Sequence, residues 1–566
     1  MHVSQISFHS HSYSRYAIGI VAIVLAGAAA ASDARLEPPA TVQACIEAAI
    51  DGVDPILGPL TADARAELHG LYRPHPSALW VDASATLTTN AVDALALLGH
   101  ADDDGLDVDD YYVAPLRDLA TRLRGTSPNA AVVAAFDVTL SAGMLRYLRD
   151  VHMGRLDPRA LAVHLGGARD DHDFAAVLRS AIADGRVGAA ADALRPQFAQ
   201  YRLLRAALAR YRTRARETTA AARLPPFAAP IHRGEAYSAA DVLRQELAAL
   251  GDLPPDAESA TSARLDDVLV EGLKRFQRRH GLQADGVLGK TTYAALTVPL
   301  SWRVREIELS LERLRWLPHL GDERLIALNI PMFRLWAWEV SPPAADAALA
   351  MDVIVGRALS TQTPVFAAKM REVIFRPYWN VPTSILRHEV LPKLARDPDY
   401  LRHEDMEIVR GEGDTSPVVA ATPEVLAALR RGELRVRQRP GPKNALGSIK
   451  FVFPNDLDVY MHGTPAQALF ARSRRDFSHG CVRVFDPIAL AAWVLEDRPE
   501  WTRARIAAAA AGAETIHVTL PRPIQVIMFY STAAVMPDDG TLHFAEDIYQ
   551  QDAMLDRALA MRRGRN

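Results

Sequence analysis

The segments Asp458-Val459-Tyr460-Met461-His462-Gly463-Thr464 and Phe477-Ser478-His479-Gly480-Cys481-Val482-Arg483-Val484 decide how this chain is read. Side chains alternate along a strand, so Asp458, Tyr460 and His462 share a polar face while Leu457, Val459 and Met461 bury the other. His462 then stands at the edge of that face. After a bend at Gly480, Cys481 and Arg483 point one way and Val482 and Val484 point into a core. The same alternation presents the Cys481 thiol to solvent.

Only two cysteines occur, Cys45 and Cys481. Cys45 lies in the helical pattern Val42-Gln43-Ala44-Cys45-Ile46-Glu47-Ala48-Ala49-Ile50 and reads as a small apolar core residue. Cys481 reads as a nucleophile. A free thiol titrates near pH 8.5 or so, and an adjacent imidazole is needed to take its proton or stabilise the anion. His462 is the candidate base and His479 the rival; neighbouring strand residues face opposite sides, which favours loop positioning for His479. Glycine at 480 lets the backbone approach a scissile carbonyl, so amides near Gly480 and Cys481 could hold a tetrahedral oxyanion, each such donor contributing about 3 kcal/mol. Ser478 reads as a hydrogen-bonding support, with Tyr460 and Arg483 beside it as substrate contacts. Arg483 suits either a substrate carboxylate or a structural ion pair. Zinc on Cys481, His479 and His462 would lack a fourth ligand.

Around these segments the pattern is β-rich. A helix carrying Val304, Ile307, Leu311 and Leu314 leads into strand-like residues from Leu325 to Val340. Further strands are expected at Met351 to Val355, Glu372 to Phe375, Leu434 to Gln438, Ile449 to Phe453 and Leu457 to Met461. A helical insertion falls at about Ser384 to Arg396, and Thr422-Pro423 opens a helix ending at Gly432.

Towards the N-terminus, Ser238 is expected to cap a helix with Asp241 at N3 and Val242, Leu243, Leu247 and Leu250 on its apolar face. A second helix follows at Leu265 to His280, and a third, capped by Thr291 or a neighbour, after Gly289. Phe276, Leu282, Val287 and Leu296 read as the core of this small unit. The proline-rich stretch Leu224 to Pro230 is a linker. Residues 36–223 are alanine-rich with helical periodicity. The Asp102 to Asp110 cluster fails as a calcium loop: with Gly105 sixth, His100 and Tyr111 occupy the first and twelfth positions.

Ala17 to Ala31 is a short apolar run with an A-x-A site at Ala29 and Ala31, so residues 1–31 read as a secretory signal. At 566 residues, three or four domains are expected. A net charge of -4 gives no electrostatic support to a nucleic-acid partner.

The two opening segments resemble the signature of L,D-transpeptidases with the YkuD catalytic domain, in which a His-Gly pair stands some nineteen residues before a Ser-His-Gly-Cys motif, as His462 does before Cys481. Gly281-Leu282-Gln283-Ala284-Asp285-Gly286-Val287-Leu288-Gly289, with Phe276-Gln277-Arg278-Arg279-His280, resembles a three-helix peptidoglycan-binding domain. Gly154-Arg155-Leu156-Asp157-Pro158, Leu309-Ser310-Leu311-Glu312-Arg313-Leu314-Arg315-Trp316, Arg376-Pro377-Tyr378-Trp379-Asn380-Val381-Pro382 and the Val482-Arg483 pair resemble the large members named for YcbB.

The resemblance implies a multidomain α+β chain: a helical scaffold domain (36–223), a peptidoglycan-binding domain (231–298), a β-rich, sandwich-like catalytic domain (303–520) with a capping insertion (382–409), and a C-terminal extension (521–566). It implies Cys481 as nucleophile, His462 oriented by the Gly463 carbonyl, 3-3 cross-linking of wall peptides, acylation by carbapenems, and no metal or nucleotide cofactor. Expected partners are stem peptides, glycan and other wall-synthesis enzymes, in the periplasm or envelope of a Gram-negative bacterium. The membrane would be met only through an uncleaved signal segment.

Overall fold

The computed structural model describes residues 41–563, apart from 74–76, 126–128, 166–171, 218–223, 255–261, 318–323, 340–346, 359, 412 and 538. The expected signal segment lies outside the described residues.

The N-terminal region is helical and wraps the helix Ala130–Met153, whose apolar length is mostly buried inside the fold. Asn129 caps it by accepting from the Val132 amide. A polar network is built into this core: Asp137 accepts from Tyr72 Oη at 2.6 Å and from the Trp80 amide at 2.8 Å. Burial pushes the Asp137 carboxyl up to about 6. Within the acidic cluster, Asp104 is spent on the fold, paired with Arg195 at 2.9 Å and Arg205 at 2.8 Å.

The small unit contains helices Ala240–Ala249, Asp267–Arg279 and Lys290–Leu296 around Leu243, Leu247, Leu273, Phe276, Leu288 and Leu296. Two expected caps differ. The first helix starts after Ala239 and the third after Gly289, and neither has a side-chain cap, so Ser238 and Thr291 do not play that part. Leu282 is only partly buried, and Leu288 rather than Val287 fills the core.

Among the described residues, thirteen strands make up the barrel region and its insertion: β1 (Leu325–Asn329), β2 (Arg334–Trp338), β3 (Leu349–Gly356), β4 (Phe366–Phe375), β5 (Trp379–Asn380), β6 (Met406–Val409), β7 (Val418–Val419), β8 (Arg435–Gln438), β9 (Ile449–Val452), β10 (Met461–His462), β11 (Asp476–Ser478), β12 (Val482–Val484) and β13 (Ile516–Phe529). The order β3-β12-β10-β9-β4-β13-β1-β2 is closed by a β2–β3 pairing, with β11 added alongside β3. The expected sandwich-like layering is therefore corrected: this is a closed eight-stranded barrel, and closure leaves no free edge among those strands.

Strand β13 runs through position 520 to Phe529 and pairs with both β1 and β4. Pro521 and Pro523 argue against a strand in sequence; here they fall in the register shift between Thr519 and Ile524, where no ladder donor is required. Ile548, Tyr549, Leu555 and Leu559 pack into the same core, so the segment after 520 is integral to the barrel region.

The insertion is larger than 382–409. Strands β5, β8, β6 and β7 form a separate sheet with its own core of Val381, Leu386, Val390, Ile408, Leu429 and Val436. β8, within the expected strand Leu434 to Gln438, pairs with β5 and β6 and so belongs to this sheet, not to the barrel.

The scaffold and barrel are joined by a buried ionic knot. Glu312, on the helix Leu300–Leu314, lies 3.1 Å from Arg155 Nε and 2.8 Å from Arg315 Nη1. Gly154 allows this approach: its φ is +82°, and a Cβ there would lie 2.6 Å from Trp316 Nε1. Two segments far apart in sequence thus form one joint.

Candidate active site

Three adjacent strands place Lys450, His462 and Arg483 in one row: His462 pairs with Lys450 across β10–β9 and with Arg483 across β10–β12. Directly paired residues share a face of the sheet. Met461, Phe451 and Val482 fill the core on the opposite face. The Met461–Val482 register sets Cys481 beside Tyr460, one step along the same face and diagonal to His462.

The expected strand Leu457 to Met461 is shortened to Met461–His462. Asn455 Oδ1 accepts from the Leu457 and Val459 amides at 3.0 and 3.2 Å, and Asp458 takes a φ of +53°. A side-chain turn replaces the ladder, so Leu457 is exposed while Val459 and Met461 remain buried.

His462 is buried rather than at an edge, with Nδ1 2.5 Å from the Gly463 carbonyl oxygen. That contact assigns the proton to Nδ1 and leaves the lone pair on Nε2. Burial first, then the flanking Arg483 and Lys450 charges, push the imidazole down to about 3; the Gly463 and Leu446 carbonyls oppose this. His462 is neutral at physiological pH.

The Cys481 thiol is raised above its ordinary range by burial, against the lowering effects of the Tyr460 amide and hydroxyl and of Lys450. Its Sγ lies 3.7 Å from the Asp458 carbonyl. The two groups at rest are thus a thiol and a neutral imidazole. Tyr460 carries Lys450 Nζ over its ring at 4.0 Å and is hydrogen-bonded to Trp379 of the insertion.

The loop before Cys481 is pinned on several sides. Ser478 Oγ donates to the Cys481 carbonyl at 2.6 Å and accepts from the Gly480 amide at 3.2 Å. Thr363 Oγ1 donates to the Gly480 carbonyl at 2.7 Å. Gly480 has a φ of +113°, a conformation that disfavours any side chain. With its amide given to Ser478, Gly480 does not offer that donor to a substrate.

His479 turns from the thiol towards the insertion, where its Nε2 lies 2.6 Å from Glu389. Glu389 sits in a π-helical turn, Leu386–Val390, just ahead of Pro392, whose ring cannot follow the carbonyl of His388 in a regular helix. Among the described residues Arg483 makes no ion pair, and its Nε is buried without a partner. No group of three or more His, Cys, Asp or Glu among the described residues is placed to hold a metal. Lys450, Trp379 and Glu389 were not singled out from sequence. Lys450, the polar residue between Ile449 and Phe451, carried the one available signal.

Against known families, residues 323–506 match the model of the L,D-transpeptidase catalytic domain (YkuD), residues 66–208 the Scaffold domain, and residues 238–296 the "Putative peptidoglycan binding domain". The chain carries an L,D-transpeptidase catalytic domain of YkuD type, coupled to scaffold and peptidoglycan-binding domains. Over 254 residues, 45% of the chain, it is 31% identical to the "Putative L,D-transpeptidase" of Haemophilus influenzae, covering 49% of that protein. The chain thus spans about half the length of this curated relative. Among solved structures, it is similar to the L,D-transpeptidase of Stackebrandtia nassauensis (14% identity, TM-score 0.22, covering 53% of this chain and 97% of that one). It is also similar to that of Xylanimonas cellulosilytica (15% identity, TM-score 0.17, covering 54% and 100%).

Proposed function

We propose that the protein is an exported L,D-transpeptidase that forms 3-3 cross-links in peptidoglycan through a thioester on Cys481. The observation that carries this reading is the placement of Cys481 diagonal to a neutral His462 whose proton is fixed on Nδ1 by Gly463.

Cys481 Sγ attacks the carbonyl of the L,D peptide bond between the third and fourth residues of a donor tetrapeptide. The thiol proton passes to His462 Nε2 as the S–C bond forms. His462 returns that proton to the departing amine as the C–N bond breaks, and D-alanine leaves. The side-chain amine of an acceptor diaminopimelate then attacks the thioester, giving up its proton to His462, and the thiol is restored. The Cys481 amide is the backbone donor suited to the oxyanion, since the Gly480 amide is already bonded. Arg483 is suited to a stem-peptide carboxylate: its Nε is buried without a hydrogen-bond partner, a cost that a bound anion would offset. Tyr460 and Ser478 line and support the same site, and His479 positions the loop.

Incubating the protein with disaccharide-tetrapeptide and weighing the products tests the reading. Cross-linked dimer and free D-alanine, both lost in Cys481→Ala, are expected. Shortened monomer alone would indicate an L,D-carboxypeptidase, and transfer only to a lipoprotein lysine an anchoring enzyme. A Cys481→Ala protein that restores 3-3 cross-links in deficient cells would reduce the chain to a scaffold.

A further inference from the structure

Behind the loop that delivers Cys481 lies an open cavity of about 840 Å³, lined by Arg357, Arg472, Arg474, Asp476 and Phe477 from the barrel and by Gln283 from the small helical unit. Its wall is continuous with the active site. β11, which contributes Asp476 and Phe477, runs directly into Gly480 and Cys481, and the Arg357 amide donates to the Ser478 carbonyl at 3.1 Å.

The cavity is cationic. Arg474 is paired with Asp476 at 2.8 Å and with Glu546 at 3.0 Å, but among the described residues Arg357 and Arg472 make no ion pair. Arg472 lies over the Phe477 ring, 5.5 Å from its centroid, which holds the guanidinium beside an apolar surface. Arg357 is also close enough to Arg483 for the two charges to interact. Arg357 and Arg472 thus share a cavity wall with Gln283, and Arg357 lies within electrostatic reach of Arg483 in the active-site row. That unit is fixed in place: Arg279 donates to the Leu542 carbonyl at 2.8 Å, and His280 stacks on Phe544.

We propose that this cavity is a second binding site for a carboxylate-bearing peptide stem of the wall, held between the helical unit and the barrel next to the nucleophile loop. Unpaired guanidiniums select carboxylates through two parallel hydrogen bonds. Phe477 and Ala358 offer the apolar surface that alanine methyls or a diaminopimelate chain would cover. An uncharged glycan would leave both guanidiniums without anions. The site deepens the transpeptidase reading, since a reaction joining two stems needs a second stem beside the first.

The test uses the full chain carrying Cys481→Ala, so that nothing turns over, and measures disaccharide-tetrapeptide binding by calorimetry. Adding Arg472→Ala, or Gln283→Trp to fill the mouth from the other unit, is expected to weaken binding at least tenfold. Arg472→Ala should also flatten its salt dependence, and Arg472→Lys should restore part of the affinity. Unchanged thermal unfolding of both exposed-site variants controls for folding. Equal affinity in all variants overturns the site, as does equally Arg472-dependent binding of the disaccharide without peptide or of inorganic phosphate. The function reading is read separately, by thioester mass on the unsubstituted protein. Its absence with Arg472-dependent binding retained sinks the enzyme and leaves this site standing.

Discussion

His479 Nε2 and Glu389 Oε1 lie 2.6 Å apart, tying the loop that carries Cys481 to the insertion. The contact is partly exposed, so it contributes modestly to stability. Its consequence is geometric, because it holds the insertion against the loop that precedes Cys481. If the insertion excludes water during the reaction, Glu389→Gln or His479→Ala should free it and admit water. The ratio of hydrolysed to transferred product should rise several-fold. An unchanged ratio by mass analysis would separate the contact from water exclusion.

A second histidine fastens the insertion farther out. His517 lies 2.9 Å from Glu372 of β4 and 2.9 Å from Asp414 of the insertion, and these hydrogen bonds raise its pKa against the opposing effect of burial. The folded value exceeds the unfolded one. Its stabilising effect is therefore complete below about pH 6.5 and is lost as pH rises through the higher folded value. Hydrogen exchange in 406–438 should accelerate over that upper window, and His517→Ala should remove the pH dependence.

Cys481 should behave as a thiol rather than as half of a preformed ion pair. Its pKa is raised by burial and His462 is held near 3, so alkylation by iodoacetamide should climb through alkaline pH without an acidic plateau. Lys450→Ala removes a cation that favours the thiolate and should slow alkylation at pH 8 by roughly threefold to tenfold. A plateau reaching down to pH 5 would contradict this electrostatic account.

His462→Ala should lower acylation of Cys481 by a donor peptide by about 10² to 10⁴ fold, the usual contribution of a positioned general base. Stopped-flow mass measurement of the acyl-enzyme reads it directly. A loss below tenfold would transfer the role to another group.

The joint between scaffold and barrel should be intolerant of change. Glu312→Ala leaves the Arg155 and Arg315 charges without their buried partner and should cost about 3 to 5 kcal/mol. Thermal unfolding should show a lower midpoint and lost coincidence between scaffold and barrel signals. An unchanged midpoint would mean that the knot does not couple them.

The local alternation around Val482, Arg483 and Val484, and the His462–Cys481 spacing, were legible because strand periodicity and short motifs are written in neighbouring residues. The Thr422 cap, which accepts from the Val425 amide, was legible for the same reason. Leu457 was misplaced because a side chain two positions away, Asn455, took over the backbone donors.

What the sequence determined by itself was the chemistry available: one cysteine in a strand-like setting, a histidine to serve it, a glycine to bend the chain before it, and three kinds of helical and β pattern in order. Tertiary structure decided the rest. Barrel closure through β2 and β3, the course of β13 through two prolines, the assignment of β8 to the insertion, and the burial of His462 between Lys450 and Arg483 all depend on pairings between distant segments. Such pairings are selected by the packing and hydrogen bonding of the whole region, and no local pattern carries them.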